Sequence, residues 1–133
     1  EGGAAPAGTR NVKAPVTGNS VSGPGSMIFA KDGFRLNSGT LPGETFQVCL
    51  TLGGAGALRN TLVGSGTDGG TDFRLRQRQA TTVRLPGYGG ANNDDAAVVT
   101  FGQTNNNLGG TPTGSATNTV PTGGGWIGGA CPF

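Results

Sequence analysis

Histidine is absent from this 133-residue sequence. That excludes Ser-His-Asp and Cys-His catalysis and removes the commonest metal ligand. Charge is sparse: 12% of residues, nine basic against seven acidic, for a net of +2. No run approaches the roughly 20 apolar residues of a membrane-spanning helix, so no membrane span is expected. Asn-x-Ser/Thr sequons are missing, and with them that route to N-glycosylation. Hydrophobic residues reach only 33%, with six Phe, one Trp, one Tyr and one Met, so the material for a core is thin. No Gly-X-Y period is present, which excludes collagen. The sequence opens at Glu1 without Met or a secretory leader, as a processed product or a fragment of something longer would.

Glycine, by contrast, fills 28 positions, about three times its usual share. Disordered low-complexity chains use glycine this way, and so do β-rich folds with many tight turns. The second reading fits, because short apolar runs recur along the chain: Met27 to Phe29, Phe46 to Leu52, Phe73 to Leu75, Val98-Val99. Residues 1–14 read as a Gly/Ala/Pro tail that assembly would order, and residues 15–133 as a single β-rich domain. Cys49 and Cys131 are too far apart for metal-site spacing and have no His to complete a site. They read as a disulfide, worth about 4–5 kcal/mol in the chain-entropy model, against the alternative of two unrelated buried thiols. A disulfide places the chain in an oxidising compartment, secreted or at the cell surface.

Turn chemistry at Asp32-Gly33, Asn37-Ser38-Gly39 and Pro42-Gly43 separates three expected strands, Ser26 to Ala30, Phe34 to Leu36 and Thr45 to Leu52. In the last, Phe46, Val48, Leu50 and Leu52 share one face, and Cys49 joins Gln47 and Thr51 on the other. The phrase around Asn19 returns around Asn60, which suggests stacked rungs with an inserted loop in each turn. From Phe73 to Leu85, odd positions give Phe73, Leu75, Val83 and Leu85, and even positions give Arg74, Arg76, Arg78 and Arg84. An unbroken strand would put all four arginines on one face. Asn92 to Asp95 supply an N-cap and an acidic first turn for one short helix ending at Gly102 or at Asn105 to Asn107. Leu108 to Phe133 reads as polar loop with one extended piece and an apolar plug, Trp126 to Phe133. The disulfide would tie that plug to the strand at Phe46 to Leu52, closing over the arginine strand and the helix.

The run Thr71 to Arg78, then Thr82 to Gly90, then Asn92 to Val98, with the Gly-rich Trp126 to Cys131, resembles the C-terminal ends of large bacterial repetitive surface proteins. Those are similar to right-handed parallel β-helices. The resemblance spans about residues 45–133, with Val48 to Leu52 and Asn60 to Leu62 as the last regular rung. It implies a secreted, fibrous or adhesive protein without assigned catalytic residues. The expected fold is therefore all-β, a short parallel β-helix or β-solenoid-like module with one capping helix, with a β-sandwich as the alternative.

Three functional readings follow. The first is an extracellular structural subunit that self-assembles, through copies of itself, into a surface filament or layer. The second is a capping or adhesin module from the C-terminus of a larger surface protein, binding anionic glycans through Arg74, Arg76, Arg78 and Arg84. The third, a polysaccharide-active enzyme, needs facing carboxylates, and Asp94-Asp95 are better explained as helix-start residues. No catalytic residue, metal or cofactor is assigned. The plainer reading of the arginines is a solvated strand face that discourages edge pairing and pairs with Asp72, Asp94 or Asp95. Nucleic acid is not expected as a partner, because aromatics for base stacking are too few. Gly64 to Gly70 lacks the Lys-Ser/Thr of a phosphate loop and reads as a turn, with Asp68 or Asp72 as a minor calcium-site reading. The threonines between Thr111 and Thr122 are too unevenly spaced for a regular hydroxyl array and suit a polar, O-glycosylatable loop.

Overall fold

The computed structural model describes residues 11–21, 32–63, 66, 70–109, 114–118 and 124–133. The strand expected at Ser26 to Ala30, Asp68 and most of the threonine stretch lie outside the described residues. Among the described residues there are seven strands: β1 Asn11–Val16, β2 Phe34–Ser38, β3 Gln47–Leu52, β4 Phe73–Gln77, β5 Thr82–Arg84, β6 Gly114–Asn118 and β7 Gly125–Ile127. One helix, α1, spans Asp95–Asn105. The strands alternate between two sheets, β1-β3-β5-β7 and β2-β4-β6, and every pairing is parallel. The fold is mainly β.

Alternation along each strand sends one set of side chains between the sheets. Val48, Leu50 and Leu52 from β3, Phe73 and Leu75 from β4, Val83 and Leu85 at β5, and Trp126 from β7 are all buried. Burying each such side chain contributes about 1.5–3 kcal/mol, which is how a chain poor in apolar residues still holds a core. Phe73 takes unusual room: a Cβ at Gly102 or at Gly114, its register partner, would collide with its ring. Two of the many glycines are thus places where an aromatic ring needs the space.

The period-two run of residues 73–85 is interrupted. Residues 78–81 turn a corner between the sheets, with Gln79 in the left-handed region at φ 55°. Buried Gln77 holds that corner, its Nε2 donating to Thr81 O at 2.6 Å and Gln79 O at 3.1 Å. Ser38 Oγ donates to Thr81 Oγ1 at 2.9 Å. Gly39, at φ 76°, lies against the same corner, where a Cβ would strike the Arg78 carbonyl. Corner and strand together fix the register of β2 on β4.

The recurrence of Asn19 and Asn60 corresponds to a hydrogen-bonded ladder. Asn19 Nδ2 donates to Asn60 Oδ1 at 3.1 Å, and Asn60 Nδ2 donates to Asn106 Oδ1 at 2.7 Å. Asn60 Nδ2 also reaches Val16 O at 2.7 Å, and Asn106 Nδ2 the equivalent Leu52 O at 3.4 Å. Beside the ladder, Ser20, Thr61 and Asn107 form parallel bridges. The third rung was hidden inside the Asn105 to Asn107 run, which reads in sequence as a helix stop. Its signature is the triplet Asn-polar-aliphatic at Asn19-Ser20-Val21, Asn60-Thr61-Leu62 and Asn106-Asn107-Leu108.

Two boundaries move. β1 begins at Asn11, inside the segment that composition assigns to the tail, because Val12, Ala14 and Val16 match the inward positions of β3. Leu108 to Phe133 yields two strands in place of one extended piece, since Gly/Ser/Ala/Thr at β6 is laid down by its partner β4 and has little strand preference of its own. The helix forms where its caps require: Asp94 Oδ1 accepts from Ala97 N at 2.9 Å, and Asn106 ends it while serving the ladder.

Candidate functional site

Parallel register on the three-stranded sheet stacks equivalent side chains. Arg35, Arg74 and Ser115 are laterally adjacent, as are Asn37, Arg76 and Thr117. These positions alternate with the inward Phe73 and Leu75, so they occupy the sheet's outer face. Arg35, which sequence reasoning did not select, joins Arg74 and Arg76 there. The signal was present: Asp32-Gly33-Phe34-Arg35-Leu36 is echoed by Asp72-Phe73-Arg74-Leu75.

Arg84 does not belong to this face. The corner at residues 78–81 carries it onto β5 of the other sheet, where its Nη1 donates to Gly128 O. Arg78 directly follows β4, and its charge is felt at Arg76. The arginines brought together are therefore Arg35, Arg74, Arg76 and Arg78.

Asp32 pairs with this group, with Arg35 Nε at 2.5 Å and Arg74 Nε at 3.5 Å. Burial works against its charge, but hydrogen bonds from Thr71 N and Arg35 and the positive charge of Arg74 outweigh it, holding the carboxyl below its ordinary pKa. The acids expected to pair with the stripe have other partners as well. Asp72 accepts from Gly66 N and Gly109 N, Asp94 caps the helix, and Asp95 accepts from Trp126 Nε1 at 2.7 Å and Asn118 N at 3.1 Å. Arg76 lies among like charges, with Asp32 offsetting them in part. Desolvation, then the charges of Arg74, Arg78 and Arg35, push its pKa below the ordinary guanidinium value.

On the outer face of the four-stranded sheet the picture differs. Cys49, fully buried, is bonded to Cys131 with Cα atoms 5.7 Å apart. Lys13, Cys49, Arg84 and Ile127 are in register across β1, β3, β5 and β7. The segment after β7 thus runs back across the sheet, touching Arg84 through Gly128 and ending on β3. It closes over Arg84 and leaves Arg74, Arg76 and Arg78 outside its path. A disulfide fits a non-cytoplasmic setting. Among the described residues no helix is long and apolar enough to cross a membrane, and no group of three His, Cys, Asp or Glu is placed to hold a metal.

A cleft of about 440 Å³ lies between Pro86 to Gly90 and α1, where Tyr88 and Phe101 meet edge to face at 5.9 Å. Its polar groups turn back on the protein. Tyr88 Oη donates to Ala91 O at 2.8 Å, Thr104 Oγ1 to Thr100 O and Asn105 Nδ2 to Phe101 O. Burial, with Asp94 and Asp95 nearby, raises the Tyr88 pKa. The arginine face is the stronger candidate, being charged and outward. Comparison with protein-family models, with curated proteins and with solved structures finds no match.

Proposed function

We propose that this chain is a short β-solenoid that forms the closed end of an extracellular structural or adhesive protein, with a structural and not a catalytic role. Uniformly parallel ladders joined by alternation between two sheets support the solenoid geometry, since a sandwich built from hairpins would pair antiparallel. The observation that carries the end-piece reading is a gradient along one register row. Val48, Val83 and Trp126 are 3%, 0% and 0% exposed, whereas Val12 in the same row is 44% exposed. Among the described residues, the core is covered at the β7 end and uncovered at the β1 end. Helix α1 and the Cys49–Cys131 bond belong to the covered end, and the likeness to the ends of bacterial repetitive surface proteins agrees with it. In a solenoid, terminal units differ from internal ones because they must end the stack.

Self-assembly into a filament or layer is the second reading, favoured by the outer edge of β1, which no strand among the described residues pairs. That edge is partly blunted. Val16 O faces β3, where it accepts from Gly53 N at 2.8 Å, so by alternation the missing N–H of Pro15 falls on the open side. Sedimentation and negative-stain microscopy of the purified, oxidised chain separate the two. A monomer over a wide concentration range is expected, with a higher thermal midpoint when one designed coil precedes Asn11. Filaments would replace the end-piece reading with the assembly reading.

A further inference from the structure

We propose that the outer face of the β2-β4-β6 sheet is a binding site for an anionic polysaccharide, with Arg76 at its centre. The topology weighs against the plainer readings of Arg74 and Arg76. Guarding a sheet edge is a role for edge strands, yet Arg74 and Arg76 stand on β4, the central strand of its sheet. Internal neutralisation is partial among the described residues: four guanidinium groups are gathered, and Asp32 is within ion-pair distance of Arg35 and Arg74. The register places Arg76 on the central strand of this sheet, among three like charges that Asp32 offsets only in part and with partial loss of hydration, an arrangement that an incoming anion relieves.

The surroundings indicate the kind of anion. Guanidinium groups present forked donors that match carboxylate or sulfate oxygens. Interleaved with them are Asn37, Ser115 and Thr117, neutral hydrogen-bonding side chains suited to a hydroxyl-rich chain. Neighbouring strands lie about 4.8 Å apart, so the Arg35–Arg74–Ser115 and Asn37–Arg76–Thr117 rows form a flat, extended surface across the sheet. No aromatic residue occupies the outer positions of these three strands, and nucleic acid would need such platforms for its bases.

The test is binding of the intact, oxidised chain to polygalacturonate, measured by calorimetry or affinity electrophoresis beside neutral dextran and single-stranded DNA. Expected is salt-sensitive binding to polygalacturonate, none to dextran and weaker binding to DNA. Arg76→Gln lowers the affinity about tenfold, Arg76→Lys restores part of it, and Lys13→Gln, which removes an equal charge from the open edge, leaves it unchanged. Matching thermal midpoints guard against unfolding, and Arg78→Gln substitutes if Arg76→Gln does not fold. Equal weakening by Lys13→Gln, equal or tighter binding of DNA, or unaltered binding by Arg76→Gln and Arg78→Gln would each overturn the proposal.

Discussion

The β1 end and the β7 end of this molecule occupy the same register row, yet one shows its inward valine to solvent and the other buries a tryptophan completely. Among the described residues Val12 has no strand above it, and it lies beyond the reach of the disulfide, whose covalent path joins β7 to β3 and stops one strand short of β1. Trp126 has β5 beside it and Asp95 accepting its indole N–H. Identical strand geometry therefore gives unequal stability, set by what covers each end. Local opening of the molecule is expected to start at β1.

The largest effect should come from cutting the covalent tie of the closed end. Reduction, or the paired change Cys49→Ala with Cys131→Ala, is expected to cost about 4–5 kcal/mol, read as a lowered thermal midpoint. A midpoint insensitive to reductant would show that packing alone closes that end. Next is a matched pair. Trp126→Ala should cost about 3–5 kcal/mol and Val12→Ala less than about 1 kcal/mol, because the cost follows the burial lost. Denaturant titration measures both, and similar losses would erase the difference between the ends. The smallest of the strong effects lies between them. Asn60 accepts from Asn19 and donates to Val16 O and Asn106, so Asn60→Ala should cost about 2–3 kcal/mol. Hydrogen exchange should then rise first at residues 11–21, upstream of the missing rung, with β5 and β7 still protected.

Much of this organisation was legible in the chain itself. Alternation in Phe46 to Leu52 and in Phe73 to Leu85 predicted which side chains face inward, because period two survives whatever the strand pairs with. The cysteine pairing and the Asp94 cap were local or combinatorial problems with few solutions. The Asn19–Asn60 recurrence was readable, because a ladder needs the same side chain at equivalent positions. Its third rung was not, since Asn106 both ends a helix and joins the ladder, and the first role masked the second.

What the sequence by itself determined is thus the period of each strand, the residues able to turn corners and the one pair able to cross-link. Only the tertiary structure decided which strands are neighbours, and that choice made the arginine face. Arg84, ten residues after Arg74, was carried to the other sheet by a four-residue corner, while Arg35, 39 positions before Arg74, was brought alongside it. Short-range alternation is fixed by backbone geometry at each residue. Lateral stacking depends on how much chain each loop absorbs between strands, and loop length contributes no periodic pattern to the sequence.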